Sequence, residues 1–179
     1  MKMIKSVCVY SASSSQVDEE YLQSATRLGE ILSEKKIECF FGSGGTGLMG
    51  HLADSMLKHG GKITGIIPKF MHQNGWSHPQ LKNIVITHNI HERKQHFLQN
   101  SEAVIALAGG CGTLEELLEA ITWRQLKLFQ GEIYIVNTKH YYDPLLEMLD
   151  KCVSSGFMEP DQRNLWKVVE QVDDLIPLL

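Results

Sequence analysis

Three glycines crowd into four positions of the segment "ALAGGCGTLEELLEAITW", directly ahead of a glutamate-rich helical pattern; they are Gly109, Gly110 and Gly112. The first N–H groups of a helix have no partner within it and lie at the positive end of its dipole. Glycines leave these donors uncovered, so a phosphate can approach them closely, and Thr113 can cap the helix. We therefore predict an anion-binding helix start here, with a purely structural tight turn as the alternative.

Glu116 follows three residues after Thr113, and this T-x-x-E spacing is that of a capping box, which is by itself a sufficient structural reason for the carboxylate. A helical wheel nevertheless places Glu116 with Ala120 and Trp123, opposite an apolar face that should pack on a sheet. That apolar face comprises Leu114, Leu117, Leu118, Ile121 and Leu128. A bulky Trp123 turned away from the core predicts a homodimer contact with Glu116 near its rim; a lone exposed tryptophan is the alternative.

The segment "NIHERKQHFLQN" predicts a second helix with cations in an unusual place. Asn89 and Glu92 can cap its start, and Arg93 and Lys94 fall on either edge of its inward stripe. The stripe is marked by Ile90, Phe97 and Ser101. Cations there can simply extend their charged ends into water. We favour a site role, in which the fork of donors on Arg93 meets a phosphate or a purine edge.

A second glycine loop, "FGSGGTGLMG", stands between an apparent strand and a helix. Gly42, Gly44 and Gly47 match the G-x-G-x-x-G pattern of dinucleotide-binding loops. Such sites also have an acidic residue roughly 20 positions later, at the end of the next strand, and here that strand ends in "IIP". We therefore do not favour an NAD site; a tight turn and a ligand-contacting loop both stay open.

Short apolar strands alternate with helices along the chain. These elements must position the two glycine loops and the side chains of Arg93 and Glu116. Strands are predicted at residues 6–10, 37–42, 62–68, 83–87, 103–108 and 132–136. Helices are predicted at residues 18–35, 47–60 and 89–99, after the loop at Gly109, and around residues 141–156 and 172–179. The pattern is typical of an α/β fold with a Rossmann-like, doubly wound parallel sheet in a single nucleotide-binding domain, residues 1–179. Sites in such sheets lie beyond the carboxyl ends of the strands, where both glycine loops and the start of the "HERK" helix fall.

The composition excludes several function classes. The net charge is −4 and no long basic run is present, so no nucleic-acid partner is predicted. No apolar run has the length of a signal peptide or of a membrane span, so we expect a cytoplasmic protein with no membrane partner. The cysteines are scattered and form no C-x-x-C pair: Cys8, Cys39, Cys111 and Cys152. His88, His91 and His96 lack a nearby carboxylate cluster, and we predict neither a metal nor another cofactor.

Taken together, these motifs resemble those of the Lonely Guy family, the cytokinin riboside 5′-monophosphate phosphoribohydrolases, over residues 7–156. The family's P-G-G-x-G-T-x-x-E signature is matched by Gly109, Gly110, Gly112, Thr113 and Glu116. Its Arg-Lys pair is matched by Arg93 and Lys94, and its early glycine loop by Gly42, Gly44, Gly47, Leu48, Met49 and Gly50. Many members carry the older label "lysine decarboxylase-like", but we expect no decarboxylase.

The chain departs from the family pattern at several positions. Ala108 replaces the signature proline, which should loosen the turn without removing a donor. Ser43 and Ala12 replace glycines, and Ile90 replaces the usual methionine before "HERK". By spacing, Gly75 stands where plant members have a substrate-contacting glutamate. We expect these changes to affect the preferred base more than the hydrolysis.

The resemblance implies hydrolysis of the N-glycosidic bond of a nucleoside 5′-monophosphate, a cytokinin riboside monophosphate or an AMP-like nucleotide, to a free base and ribose 5-phosphate. It also implies a homodimer with sites near the subunit interface. The implied catalytic residues are Arg93 and Glu116, and the implied substrate-binding residues are Lys94, Gly109, Gly110, Gly112, Thr113, Glu115, Gly44, Gly47 and Met49. The alternative is a non-catalytic carrier of a nucleotide or of the molybdenum cofactor, with the same fold and no need for the catalytic pair.

In the implied mechanism, the amides of Gly110, Gly112 and Thr113 anchor the 5′-phosphate. Glu116 stabilises an oxocarbenium-like sugar or activates the water. Arg93 contacts the nucleotide or assists the leaving base, with Lys94 in support. Glu115 binds the ribose hydroxyls, with a solvated helix carboxylate as an equal alternative.

Overall fold

A computed structural model describes residues 3–179. The strands are β1 (Ser6–Tyr10), β2 (Glu38–Phe41), β3 (Ile63–Pro68), β4 (Ile84–Thr87), β5 (Ala103–Ala106), β6 (Glu132–Val136) and β7 (Lys167–Val169). The α-helices are α1 (Glu19–Glu34), α2 (Gly47–Lys58), α3 (Lys69–Gln73), α4 (Ile90–Gln99), α5 (Cys111–Gln125) and α6 (Asp143–Ser154). Short 3₁₀ helices cover Thr138–His140, Pro160–Leu165 and Val172–Leu175.

All seven strands pair in parallel in one sheet, in the order β4-β3-β2-β1-β5-β6-β7. The chain winds outward from β1 in one direction, returns, and winds outward in the other, so the order reverses between β1 and β5. In register, Val9 of β1 faces Phe41 on one side and Ile105 on the other. The predicted doubly wound α/β sheet is confirmed, and its switch point lies at the carboxyl ends of β1 and β5.

Each face of the sheet is covered by helices, which is why the central strands are apolar on both sides. One core cluster joins the sheet to α1 and α2, through residues such as Leu28 and Leu52. The other joins it to α4, α5 and α6, through residues such as Phe97 and Leu117. Within residues 3–179, no helix is both long and apolar enough to cross a bilayer.

Three predicted details of the elements are wrong. The C-terminal helix expected at residues 172–179 is only the 3₁₀ turn Val172–Leu175, because Pro177 cannot continue a helix. Strand β7 and helix α3 were not predicted, because segments of three and five residues are too short to show a period. Ile90 was expected on the inward stripe of α4 but is exposed, and the inward side instead holds Arg93 and Lys94.

The predicted orientation of α5 is confirmed for Leu117 and Ile121, which face the sheet, and is wrong for Leu118, Ala120 and Trp123. Its buried residues are Thr113, Leu117, Ala120 and Ile121, whereas Leu118 and Leu128 are exposed. Trp123 is half-buried and packs against the core, so it does not point away from the sheet. The wheel failed because α5 has large apolar residues on both its sides, and their number alone does not indicate which side packs.

Candidate active site

A cleft of about 760 Å³ opens at the carboxyl ends of the central strands. Such a volume is typical of small-molecule sites. Four segments and two charged side chains form its walls. The lining residues include Ser11–Ser14 after β1, Gly42, Gly44, Gly45, Thr46 and Met49 around the start of α2, Met71, Gly75, Trp76, Ser77 and Pro79 before β4, Arg93 on α4, and Gly110, Gly112, Thr113 and Glu116 on α5.

The start of α5 presents open backbone donors to this cleft. Gly110 is the N-cap, and the N–H of Leu114 donates to its carbonyl at 3.0 Å. The N–H groups before Leu114 in this first turn have no acceptor one turn back within the helix. A Cβ atom at Gly110 or Gly112 would meet only open space, so neither glycine is needed for packing. Both positions therefore leave amides accessible from the cleft.

Thr113 lines the cleft but does not cap the helix as predicted, and Gly109 lies outside the cleft. The helix begins at Cys111, so Thr113 is its third residue and its side chain makes no cap hydrogen bond. The predicted capping box with Glu116 is therefore absent. Thr113 instead packs beneath Gly109, where any larger side chain would collide with it. Gly109 does not line the cleft; it permits the close packing that holds Thr113 at the cleft wall.

Arg93 is held rigidly in the first turn of α4, which starts, as predicted, at the Asn89 cap. Its guanidinium donates from Nε to the carbonyl of Ile66 at 3.0 Å and from Nη2 to the carbonyl of Gly42 at 3.1 Å. It also lies over the ring of Phe97, 5.2 Å from the centroid. These contacts fix a buried cation between the ends of β2 and β3, with Nη1 directed toward Glu116.

Glu116 faces Arg93 across the floor of the cleft, and its side chain is only 16% exposed. Its Oε1 lies 3.8 Å from Arg93 Nη1, beyond hydrogen-bond range but close enough for a strong charge interaction. Loss of water raises the pKa of Glu116 to about 7; the charge of Arg93 opposes this rise and that of Glu115 adds to it. Near neutral pH, Glu116 can therefore act in either protonation state, as acid–base catalysis requires.

Lys94 and Glu115 are brought together, but with each other and outside the cleft. The ammonium of Lys94 donates to the carboxylate of Glu115 and lies 3.3 Å from Oε2 of Glu119. Burial would lower the pKa of Lys94, but these hydrogen bonds outweigh burial and raise it. The cation therefore ties α4 to α5, and the predicted contact of Lys94 and Glu115 with the substrate is not what this geometry favours.

The early glycine loop divides into lining and structural positions. Gly44 and Met49 line the cleft, as does Gly42, whose carbonyl holds Arg93. Gly47 does not line it; its φ is +60°, and a side chain there would meet the backbone of residues 13 and 14. Gly47 thus serves the tight turn that the sequence left open as one interpretation.

Two cleft segments were not predicted as such, although Gly75 in the second was expected at a substrate-contacting position. The loop after β1 contributes Ser11 to Ser14, and the hydroxyl of Ser11 is buried with no hydrogen-bond partner in the described residues. A buried hydroxyl in that state is available to a ligand. The signal was present in "SASSS", a run of hydroxyls immediately after a predicted strand, because strand ends form the rim.

The second segment, residues 71–79, of which only Gly75 was expected near the substrate, carries the apolar part of the cleft. Trp76 is 54% exposed there, beside Met71 and Pro79. The segment is fixed to the early glycine loop by a bridge between Gly44 and Ser77 and by the N–H of His78, which donates to the carbonyl of Ser43 at 2.7 Å. The serine loop is bonded to the α5 loop, where Ala12 N donates to Ala108 O, and also to the early glycine loop, where the hydroxyl of Thr46 donates to Ser13 O at 2.8 Å. The cleft therefore has a polar side and an apolar side.

The geometry offers no metal site, since no group of three or more His, Cys, Asp or Glu side chains within residues 3–179 is arranged to hold an ion. His78 instead pairs with Asp54 at 3.0 Å, and His72 with the hydroxyl of Ser77 at 2.8 Å.

The sequence matches known proteins along nearly its whole length. The sequence model of a family described as "Possible lysine decarboxylase" matches residues 49–179. The chain is 35% identical over 183 residues to the cytokinin riboside 5′-monophosphate phosphoribohydrolase LOG5 of Arabidopsis thaliana, covering 100% of this chain and 80% of that protein. It is 36% identical over 181 residues to LOG7 of the same plant, covering 97% and 83%. Its identity to the probable enzyme LOGL1 of Oryza sativa subsp. japonica is 38% over 159 residues, covering 89% and 71%.

Solved structures share the fold at lower identity. A molybdenum cofactor carrier protein from Chlamydomonas reinhardtii superposes with a TM-score of 0.73 at 17% identity, covering 97% of this chain and 94% of that one. A molybdenum cofactor binding protein from Rippkaea orientalis gives 0.71 at 20% identity, covering 99% and 96%. At these identities the likeness shows a common fold alone.

Proposed function

Because the chain belongs to the Lonely Guy family, whose curated relatives are named cytokinin riboside 5′-monophosphate phosphoribohydrolases, we propose that it hydrolyses the N-glycosidic bond of a nucleoside 5′-monophosphate. The products are a free base and ribose 5-phosphate. The observation that carries the proposal is the buried Arg93–Glu116 pair, 3.8 Å apart, in the same cleft as the open amides of α5. Burial of Glu116 raises its pKa to about 7, which suits a group that gains or loses a proton during catalysis.

The two sides of the cleft suit the two ends of such a nucleotide. The amides from Gly110 to Thr113 would hold the 5′-phosphate, with the free hydroxyl of Ser11 as a further donor. Trp76 and Met71 would accept the base, because an exposed indole ring offers a stacking surface to any planar heterocycle. The ribose then lies between them, where Glu116 lines the cleft.

In the proposed reaction, water adds to C1′ of the ribose as the bond to the base nitrogen breaks, and the base leaves with a proton. The anomeric carbon gains positive charge in the transition state, as in glycoside hydrolysis. Glu116 stabilises that charge or removes the proton from the attacking water, and Arg93 holds the carboxylate in place and contacts the nucleotide. Lys94 supports the site from outside the cleft, because its ion pairs with Glu115 and Glu119 fix α5 against α4.

The experiment that tests this function is a panel of nucleoside monophosphates, scored for released base and ribose 5-phosphate in equal amounts. Cytokinin riboside monophosphates and AMP belong in the panel, because the relatives' names specify the former and Gly75 leaves the base contact open. Release of base from at least one monophosphate, and not from the corresponding nucleoside, is expected. Tight binding of every nucleotide without turnover would instead favour a carrier, the activity named in the structural neighbour from Chlamydomonas reinhardtii.

The activity should depend on pH through Glu116. Its pKa of about 7 means that the carboxylate, the form required here, is lost as the pH falls below neutrality. We expect kcat/KM to fall about tenfold per pH unit below pH 7 and to be level above it. Carbon-13 NMR titration of the Glu116 carboxyl, identified by its absence in Glu116→Gln, separates this from the substrate phosphate, whose second pKa is about 6. A carboxyl that titrates below pH 5 would contradict the assignment.

We also propose that the protein is a cytoplasmic homodimer. Leu118 on α5, the helix that carries Glu116, and Leu126 directly after that helix are both exposed, and a second copy would cover them. The four unpaired thiols suit a reducing compartment. Light scattering should give twice the chain mass for the wild type and the chain mass for Leu118→Glu. Ile176→Glu is the matched control, because Ile176 is 39% exposed against 40% for Leu118 but lies on the opposite face of the sheet; a monomeric wild type would end the proposal.

A further inference from the structure

We propose that Tyr141 and Tyr142 are positioning residues that hold the loop before α5 in its anion-binding conformation. The inference rests on the proposed function, because it concerns the same phosphate site. Neither tyrosine lines the cleft, and neither belongs to the two glycine loops or the "HERK" motif described above. Both follow β6, and both direct their hydroxyl groups at the backbone of the glycine loop.

The two tyrosine hydroxyls bind the carbonyls of the residues on either side of Ala108 in the chain. The hydroxyl of Tyr142 donates to the carbonyl of Leu107 at 2.7 Å, and that of Tyr141 donates to the carbonyl of Gly109 at 2.6 Å. The carbonyl between them, that of Ala108, accepts from the N–H of Ala12 at 3.2 Å. Three successive carbonyls of the loop are therefore each held by a different donor.

Holding these carbonyls fixes the donors that face the ligand. In a planar trans peptide the C=O and the next N–H point in opposite directions, so the bond from Tyr141 to Gly109 O also sets the direction of Gly110 N–H. Glycine has the widest choice of φ and ψ, and the Gly109–Gly110 peptide would otherwise rotate with little resistance. Rotation would turn a carbonyl oxygen toward the bound anion in place of an amide. The Tyr141 hydroxyl opposes that rotation.

The turn that presents the tyrosines is itself rigid. Lys139 and His140 both have positive φ, 55° and 58°, a conformation that costs non-glycine residues energy and persists only where the surroundings enforce it. The side chain of Asn137 accepts from Tyr142 N at 2.7 Å and donates to Asp143 at 2.8 Å. The two tyrosine rings pack edge to face, with centroids 5.1 Å apart. The turn is therefore held in one conformation, in which both tyrosine hydroxyls reach the loop before α5.

The test removes one hydroxyl at a time and measures phosphate binding without turnover. Tyr141→Phe should weaken the binding of ribose 5-phosphate, measured by calorimetry, about tenfold, which is the effect of one well-placed hydrogen bond. Tyr134→Phe is the matched control, because its hydroxyl also donates to a backbone carbonyl, that of Leu178 at 3.2 Å, but far from the cleft. Tyr142→Phe should weaken binding as well, with some loss of melting temperature because the buried carbonyl of Leu107 loses its donor.

A merely structural role would lower the melting temperature of Tyr141→Phe and leave the affinity for ribose 5-phosphate unchanged; that result would overturn the proposal. In turnover, KM for the nucleotide should rise more than kcat falls. If the wild type itself does not bind ribose 5-phosphate, the phosphate site of the proposed function fails, and the role of Tyr141 with it. If the wild type binds and Tyr141→Phe binds equally well, only the role of the tyrosines is lost.

Discussion

The Glu116→Gln variant is expected to lose about a thousandfold or more in kcat while keeping its melting temperature. Glutamine has the shape of glutamate but neither its charge nor its capacity to take a proton. The fold should tolerate the change, because Glu116 makes no cap and burial already disfavours its charged form, as the raised pKa indicates. The measurement is kcat on the best monophosphate of the panel, with thermal unfolding recorded on the same samples.

A neighbouring carboxylate supplies the control for this variant. Glu119 lies on the same helix one turn later, pairs with Lys94 at 3.3 Å and does not line the cleft. Glu119→Gln should change kcat by no more than a few fold. If Glu116→Gln retained the wild-type rate, or if both variants lost activity equally, Glu116 would not be the catalytic carboxylate.

The second large effect is expected at the helix start, where Gly112→Asp should raise KM for the nucleotide by about a hundredfold or more. A Cβ atom at Gly112 meets open space and its φ is not positive, so a side chain fits without strain. An aspartate in the first turn is favourable to the helix dipole and should not destabilise the fold. It would, however, place a negative charge within a few ångströms of the bound phosphate, a repulsion of about 1–4 kcal/mol.

Gly112→Asn separates charge from bulk, since asparagine has the same shape and is neutral. It should raise KM much less than aspartate does, and the gap should narrow at high salt, which screens the repulsion. Equal KM values for the two variants would show that no anion binds at these amides. Inhibition by ribose 5-phosphate, measured alongside, should weaken in the same order.

The positions of Arg93 and Glu116 were predictable because they follow from the topology. Parallel strands place their carboxyl ends on one rim, so Arg93 in the helix after β4 and Glu116 in the helix after β5 both lie at that rim. Three strands separate β4 from β5, and the 3.8 Å approach of the two side chains does not follow from this order. The open amides of Gly110 and Gly112 were predictable for a similar reason, because glycines at a helix start leave donors uncovered. These inferences needed only the order of the elements.

Where the outcome depends on packing, the sequence predicted less. Helix α5 has large apolar residues on more than one side, and only the fit against the sheet buries Ala120 rather than Leu118. Lys94 and Glu115 were expected at the substrate, and the structure shows them paired with each other between α4 and α5; their contact with a substrate stays a prediction. Neither the buried side of α5 nor the ion pair of Lys94 with Glu115 can be deduced from a local sequence pattern.

The apolar wall of the cleft shows a different limit. Trp76 lies in a segment without periodic hydrophobicity, and its place is set by contacts of Ser77 and His78 with a loop more than 30 residues earlier. The tyrosines after β6 are a similar case, because the bonds from Tyr141 and Tyr142 to the glycine loop span 32 and 35 residues. Such contacts depend on the folded chain and have no signal in a single sequence.

The central claim is that the amides at the start of α5 hold a 5′-phosphate while Glu116 faces the sugar of the same nucleotide. A crystal structure of Glu116→Gln with AMP tests it most directly, because that variant should bind the nucleotide without cleaving it. We expect phosphate oxygens within hydrogen-bond distance of N–H groups between Gly110 and Thr113, with C1′ beside the side chain of residue 116. An intact nucleotide whose phosphate lies elsewhere in the protein, with those amides bound to nothing, would contradict the claim.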